Sequence, residues 1–283
     1  MLEPYYQITS RSPEMDSAFA AVGVTRADHR YFANRLGPAG PLGPGMVIAL
    51  LYGFEPGFVR AGIPSLWSAA TPGQLTEARL TGVSATCRRV LGNLADDPGL
   101  AEAARIARDM VDAMDLAGRP LAAAHAEVPW PADPATALWA ACVALREHRG
   151  DGHWAATSAE GLDGVECHVL HAAEGAMPLD FLQQVSRWDD RSWRAGIDRL
   201  VDRGLVEEGP AGLALSAAGR DVKLRLERAT DRSAAQPLEA VGTDRTERLR
   251  FLLRAPVERI MASGSVGAWK LREELWRDLP DPA

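Results

Sequence analysis

The chain has 283 residues, enough for one large domain or two of ordinary size. It carries 38 Asp and Glu against 31 Lys and Arg, and this formal net charge of −7 is not the basic balance of a protein that coats nucleic acid. With 47% hydrophobic and 24% charged residues, the composition excludes a disordered, collagen-like or membrane-embedded chain.

Cysteine usage and the first residues indicate a reducing compartment. Cys87, Cys142 and Cys167 are widely separated and form no CxxC pair, so the sequence predicts neither a disulfide framework nor a cysteine zinc cage. The segment that begins Met1-Leu2-Glu3 has neither the basic nor the apolar region of a signal peptide. We therefore expect a cytoplasmic protein with no metal, no cofactor and no membrane association.

Helix-capping signals predict that residues 1–160 are all helical. A Thr or Asp directly before a Pro marks three helix starts in this region, at Thr71-Pro72, Asp97-Pro98 and Asp133-Pro134. The first of these helices is expected to end at Gly92 and the third at Gly150. Two or three more helices are expected before residue 64, and the Gly- and Pro-rich stretch 37–44 is expected to be non-helical.

Residues 161–232 carry a different pattern, in which short helices are followed by short strands. Helices are predicted over three stretches, Val165 to Ala173, Pro178 to Val185, and Asp189 to Val201. A Gly-Pro-Ala-Gly turn over 209–212 separates two short strands, and Ser216 begins a longer helix. This order predicts a winged helix-turn-helix. Residues 197–206 resemble the end of the recognition helix and the first wing strand of MarR-type regulators.

Residues 233–283 are predicted to form a C-terminal helical tail. A polar stretch after Thr230 leads to Thr243, which can cap a helix that ends at Gly264, and a last amphipathic segment carries Trp269 and Trp276. The predicted fold is therefore mainly α: a helical N-terminal region, a winged helix-turn-helix with a short β-hairpin wing, and C-terminal helices.

Polar side chains concentrate in residues 145–154. Projected on a helix, Arg149 falls on the apolar face that carries Cys142, Arg146 lies beside it, and Glu147 lies opposite. The projection thus predicts two arginines that point toward the core. A buried guanidinium requires a carboxylate, carbonyl groups or an anionic ligand, because an unpaired buried charge is costly.

Two interpretations of this segment are open. In the structural one, the arginines pair with carboxylates of neighbouring helices and Asp151 caps a following helix. In the functional one, the segment is the floor of a ligand cavity, where Arg146 or Arg149 binds a carboxylate or phenolate and His148 or His153 exchanges a proton. A metal or haem site is a third interpretation, but the two histidines are not spaced as a helical zinc pair.

Three further segments carry a resemblance to a known family. Gly-Arg-Pro-Leu at 118–121, Val-Pro-Trp-Pro at 128–131 and residues 145–153, followed by the winged helix, resemble an actinobacterial family of winged helix-turn-helix, MarR-like proteins over most of residues 1–260. The resemblance implies a helical region fused to a winged helix, and it implies no reaction. The chain departs from the family at Ala140 and at Tyr5 or Tyr6, where members carry histidine.

These observations define the predicted ligand-binding residues. The set combines the polar segment with its flanking tryptophans and one tyrosine: Arg146, His148, Arg149, Asp151, His153, Trp139, Trp154 and Tyr5.

The predicted DNA-binding residues are the arginines Arg187, Arg191, Arg194 and Arg199. Aspartates interrupt them, and residues 164–232 hold 10 Lys and Arg against 12 Asp and Glu, a net charge of −2. Glu207 and Glu208 flank the wing, whose tip has no basic side chain to enter a minor groove. The acidic wing argues against operator DNA as a partner, whereas the resemblance of the recognition helix argues for it.

Two functions from different classes are consistent with the sequence. The first is a small-molecule-binding, ligand-responsive transcriptional regulator of MarR-like type, for which a homodimer is expected. The alternative is an enzyme of specialised metabolism that uses a helical pocket on a winged-helix scaffold that no longer binds DNA.

Overall fold

The computed structural model describes residues 2–175, 177–210 and 212–266. Within these ranges the chain is mainly helical, with one two-stranded antiparallel sheet. Residues 2–41, 65–148 and 234–266 form one compact unit, here called unit 1, and residues 42–64 and 149–233 form unit 2. No helix in the described ranges is long and apolar enough to cross a lipid bilayer.

The helices of the first half of the chain are short, except for two. In chain order they are α1 (Leu2–Tyr6), α2 (Pro13–Ala21), α3 (Ala27–Leu36), α4 (Pro44–Leu50), α5 (Pro56–Gly62), α6 (Ser65–Ala69), α7 (Pro72–Leu91), α8 (Pro98–Asp112) and α9 (Pro120–Ala126).

The second half contains longer helices and the only strands of the described chain. Its elements are α10 (Pro134–Ala159), α11 (Gly164–Ala173), α12 (Leu179–Ser186), α13 (Asp190–Asp202), β1 (Val206–Gly209), β2 (Gly212–Leu215), α14 (Ala217–Val241) and α15 (Thr243–Ala262).

The three predicted proline-marked helix starts are confirmed. The Thr71 hydroxyl accepts a hydrogen bond from the Gln74 backbone N–H and the Gln74 side chain accepts one from the Thr71 N–H, which completes the capping box of α7. Asp97 caps α8 through the Gly99 N–H, and Asp133 accepts from the Thr136 N–H at the start of α10.

The structure corrects the predicted end of the third of these helices. α10 does not close at Gly150 but continues to Ala159, so Asp151 lies inside this helix and not at the N-cap position of a following one. A glycine inside a helix costs about 1 kcal/mol relative to alanine. Almost every side chain of α10 from Ala135 to His148 is buried, and burial of this extent outweighs that cost.

Four other expectations also change. Five α-helices, α1 to α5, precede residue 64 rather than two or three, and residues 37–39 form a 3₁₀ turn within the Gly- and Pro-rich stretch. α14 continues through the polar stretch and past Pro237, and Gly242 rather than Thr243 is the cap position before α15. Trp269 and Trp276 lie outside the described residues.

Unit 2 has its own hydrophobic core. Helices α11, α12 and α13 and the hairpin enclose it, with Trp193 of α13 at 3% exposure. The hairpin register pairs Val206 with Leu215, which places both side chains on the core face. α13 approaches α11 closely at Gly196, where an added Cβ would lie 2.8 Å from a Val165 methyl group.

Candidate functional site

Helices α12 and α13 of unit 2 are joined by a tight turn. Arg187 ends α12 in the left-handed conformation, with φ of 67°, and the Asp189 carboxylate caps α13 by accepting from the Ser192 N–H at 2.6 Å. The turn is fixed on one side because the Trp188 indole donates to the Gly53 carbonyl oxygen at 2.9 Å. Helix, turn and helix together form a helix-turn-helix arrangement.

Two of the four predicted DNA-binding arginines hold the fold of unit 2 together. Arg194 lies 2.6 Å from both Asp198 of its own helix and Glu208 of β1, so it ties α13 to the hairpin. Arg199 contacts Glu166 at 2.9 Å and Asp163 at 2.5 Å, so it ties α13 to the start of α11. Their guanidinium groups are already neutralised by intramolecular carboxylates.

The other two predicted DNA-binding arginines have no carboxylate partner within the described chain. Arg187 lies over the Phe58 ring, with 5.5 Å from its guanidinium carbon to the ring centroid, and Arg191 is exposed on the first turn of α13. Asp198 and Asp202 of α13 and Glu208 of the hairpin are also exposed. The N-terminal end of α13 therefore carries two exposed arginines that form no ion pair in the described chain, together with the exposed carboxylates of Asp189 and Asp190, and further carboxylates lie beyond it.

Four of the eight predicted ligand residues belong to unit 1 and four to unit 2. Tyr5, Trp139, Arg146 and His148 lie in unit 1, and Arg149, Asp151, His153 and Trp154 lie in unit 2.

The structure corrects the predicted orientation of Glu147 and Arg149. Glu147 is 1% exposed, whereas the Arg149 side chain is 48% exposed and pairs with Glu227 and Asp231 of α14. The helical projection failed because it assumed one buried face, whereas α10 is buried on nearly all sides up to His148.

Glu147 is the centre of a buried ion-pair network in unit 1. Arg35 binds it with two hydrogen bonds, of 3.2 and 2.6 Å, and Arg146 reaches it at 3.3 Å and contacts Glu3 at the same distance. Burial alone would raise the pKa of Glu147, but the Arg35 and Arg146 charges outweigh it and hold the pKa at about 2. Arg146 therefore pairs with carboxylates of the protein itself, which is what the structural interpretation of residues 145–154 expected.

A second buried arginine, Arg79, lacks a carboxylate partner among the described residues. It is 2% exposed, and its polar contacts are the Asn34 amide oxygen at 3.1 Å and His125 Nδ1 at 3.2 Å. Its guanidinium carbon lies 4.5 Å from the centroid of the Trp139 ring, one of the predicted ligand residues. Burial lowers the pKa of Arg79 to about 10.

His125 is neutral and accepts a hydrogen bond from Arg79. Its Nε2 donates to the Arg35 carbonyl oxygen at 3.0 Å, so its Nδ1 carries the lone pair that Arg79 faces. Burial and the Arg79 charge lower the pKa of His125 to about 3. Neither His125 nor Asn34 therefore supplies the negative charge that a buried guanidinium requires.

Aromatic rings connect Arg79 to the ion-pair network. The Trp139 ring stacks on Tyr6 at 6.4 Å, and the Arg146 guanidinium carbon lies 4.5 Å from the Tyr6 centroid. The Trp139 indole also donates to the Tyr6 carbonyl oxygen at 3.0 Å. Sequence reasoning found Trp139 and Arg146 but missed Arg35, Arg79 and His125, because they come from helices α3, α7 and α9, distant in sequence.

The remaining predicted ligand residues make contacts within their own units. In unit 1, the Tyr5 hydroxyl donates to the Ala135 carbonyl oxygen at 3.2 Å, and His148 Nε2 lies 3.2 Å from the Asp115 carbonyl oxygen. In unit 2, His153 contacts the Thr230 hydroxyl at 3.1 Å, Trp154 stacks on a tyrosine ring, and Asp151 is buried. Burial lowers the pKa of His153 to about 4.

The helix-turn-helix arrangement of unit 2 defines the class of protein, and comparison with known families agrees with it. A family model described as a helix-turn-helix family matches residues 1–267. The chain therefore belongs to this helix-turn-helix family, and that membership suggests a DNA-binding, regulator-like protein. No match was found among curated proteins or among solved structures.

Proposed function

We propose that this protein is a winged helix-turn-helix transcriptional regulator of MarR-like type, which binds operator DNA as a homodimer under the control of a small molecule. In this proposal α13 is the recognition helix and the hairpin of β1 and β2 is the wing. The order of α11, α12, α13, the hairpin and α14 supports it, because a winged helix has this order of elements.

The observation that carries the proposal is the pair of exposed arginines at the start of α13, neither of which forms an ion pair in the described chain. The N-terminal residues of a recognition helix contact base edges in the major groove. Arg187 and Arg191 lie at that end, and both are exposed and form no ion pair in the described chain, although the Arg191 charge acts on the Asp189 carboxylate. Arginine recognises guanine through two hydrogen bonds, so these two side chains are the proposed base or phosphate contacts.

The carboxylates beyond this end restrict how DNA is bound. Asp198, Asp202 and Glu208 are exposed and would repel phosphates. We therefore expect a small number of phosphate contacts and correspondingly a shallow dependence of affinity on salt concentration.

Binding to the DNA upstream of the protein's own gene tests this function. In a fluorescence-anisotropy titration at low salt, the full chain is expected to bind this duplex, and Arg187→Ala and Arg191→Ala are each expected to weaken binding about tenfold or more. Arg228→Ala is the matched control, since Arg228 is exposed in unit 2 and forms no ion pair in the described chain. Absence of binding at low salt, or equal losses in all three variants, contradicts the proposal.

A second candidate function is an enzyme of specialised metabolism, and Arg79 is the observation that favours it. Buried groups with perturbed pKa values cluster at functional sites. Arg79 is such a group, and it contacts Trp139, one of the ligand-binding residues predicted from the sequence. The exposed carboxylates of α13 and the wing are also compatible with a scaffold that no longer binds DNA.

Turnover of a metabolite separates the two functions. The purified chain would be incubated with a metabolite extract of its source cells and the mixture analysed by mass spectrometry. The enzyme hypothesis expects a mass change that Arg79→Met abolishes, together with no DNA binding by the unmodified chain. DNA binding without any mass change contradicts it.

A further inference from the structure

A groove of about 440 Å³ lies on the surface of unit 1, beside α8. Its apolar floor includes Ala101 and Ala104 of α8 and Ala137 of α10, and its wall includes Trp130. This volume lies within the range of small-molecule sites in proteins, about 300 to 1,000 Å³. Alanines leave the floor flat, so a planar group can lie against it.

Trp130 is an exposed aromatic ring held in a proline-rich segment. Its side chain is 38% exposed, and prolines precede and follow it in the Val-Pro-Trp-Pro element at 128–131. Fixed φ angles at both prolines restrict the backbone around the ring. The Arg108 guanidinium carbon lies 4.8 Å from the ring centroid, so a cation covers part of the tryptophan. This Val-Pro-Trp-Pro element is one of the segments that carry the family resemblance, and neither proposed function assigns it a role.

The rim of the groove is positively charged. Arg105, Arg108 and Arg245 line it against the single carboxylate of Asp109. Arg108 pairs with Asp112 at 2.7 Å and Arg245 pairs with Asp109. Arg105 is exposed and forms no hydrogen bond or ion pair within the described chain, so it is the cation of the rim that is available to a ligand.

Glu102, one turn before Arg105 on α8, is the acidic neighbour that could compete for Arg105. It is occupied by Arg248, which donates two hydrogen bonds to its carboxylate at 2.9 and 2.7 Å. Arg105 therefore forms no ion pair, although its charge acts on Glu102, and it lies beside an aromatic wall and an apolar floor. This arrangement is complementary to a planar group that bears a negative charge.

We propose that this groove binds a small aromatic carboxylate, whose ring packs against Trp130 and the alanine floor and whose carboxylate accepts hydrogen bonds from Arg105. Guanidinium and carboxylate groups match in geometry and pair through two parallel hydrogen bonds. The role of this ligand as the effector rests on the proposed regulator function, whereas its binding does not.

Titration calorimetry with 2-naphthoate and the full chain tests the site directly. The expected result is saturable binding of one naphthoate per chain. Naphthalene-2-carboxamide has the same ring without the charge, and it is expected to bind more weakly than naphthoate by a factor of about ten or more. Cyclohexanecarboxylate lacks the aromatic ring and is also expected to bind more weakly than naphthoate. Equal binding of the carboxamide or absence of naphthoate binding would overturn the proposal.

Surface variants assign the binding to this groove. Arg105→Ala and Trp130→Leu are each expected to weaken naphthoate binding about tenfold or more, because each removes one of the two recognition elements. Arg11→Ala is the control, since Arg11 is also an exposed arginine of unit 1 without an ion pair in the described chain. All three sites are exposed, so the variants are expected to fold. Naphthoate binding that neither Arg105→Ala nor Trp130→Leu weakens overturns the proposal.

A second experiment tests the ligand site and the regulator function separately. Naphthoate is added to the DNA-binding titration described above. A change in DNA affinity that Arg105→Ala abolishes supports the effector role. Naphthoate binding without any DNA binding overturns the regulator function and leaves the ligand site supported.

Discussion

In unit 1 the guanidinium groups of Arg35 and Arg79 are buried, whereas in unit 2 the arginines of α13 lie on the surface. Arg35 is held by the buried Glu147, and Arg79 has only neutral partners in the described chain. On α13, Arg194 binds two carboxylates that are themselves about half exposed. Removing one partner of an arginine–carboxylate pair is therefore expected to lower the free energy of unfolding strongly in unit 1 and only slightly on α13, because water screens the surface pairs.

The largest predicted effect on stability is that of substituting Glu147. Glu147→Gln is expected to reduce the free energy of unfolding by about 3 to 5 kcal/mol, because it leaves Arg35, whose side chain is 12% exposed, without its carboxylate and leaves Arg146 only the contact with Glu3. Urea denaturation measures it, and the double variant Glu147→Met with Arg35→Met is expected to lose less. A loss below about 1 kcal/mol for Glu147→Gln would remove the contrast between the two regions.

The next effect is a pH dependence caused by His125. Its pKa is 6.5 when unfolded and about 3 in the fold, so the unfolded state binds more protons between these values and stability falls as pH decreases through this range. Between pH 7 and pH 5 this residue alone is expected to cost about 2 kcal/mol. His125→Gln is expected to remove that part of the slope in denaturation curves at both pH values. An unchanged slope would show that His125 is not held neutral.

Substitution of Arg79 is expected to affect stability differently from substitution of Glu147, which lowers it. Arg79→Met removes a buried charge that forms no ion pair in the described chain and that the Glu147 charge compensates only at a distance, so stability without ligand is expected to stay the same or to rise. Thermal unfolding of this variant and of the unmodified protein provides the comparison. A loss comparable to that of Glu147→Gln would mean that Arg79 is a structural ion-pair residue.

The smallest effect is expected at the surface pair of unit 2. Glu208→Gln breaks the contact between the hairpin and Arg194, yet both side chains are solvated and Arg194 keeps Asp198. The midpoint of thermal unfolding is expected not to change measurably. A decrease as large as that of Glu147→Gln would show that the surface pairs are as important for stability as the buried ones.

Local signals predicted local structure well. The capping box at Thr71 and the aspartate caps depend on three or four consecutive residues, and the structure contains them all. The turn glycines around the hairpin likewise indicated two short strands, which pair as β1 and β2.

Features that depend on packing could not be predicted in this way. The two residues of the Arg35 and Glu147 pair are 112 positions apart, and Arg79 and His125 are 46 positions apart. No periodicity within one helix indicates such pairs. The helical projection misplaced Glu147 and Arg149 for the same reason: the surroundings of α10 come from distant segments and cover nearly all its sides before Arg149.

Selection from a random library of DNA duplexes tests the central claim, that α13 reads a DNA sequence, most directly. The full chain at low salt is expected to enrich a recurrent sequence motif, and the Arg191→Ala variant is expected to lose or alter that enrichment while Arg228→Ala retains it. Failure of the unmodified chain to enrich any motif would contradict the account.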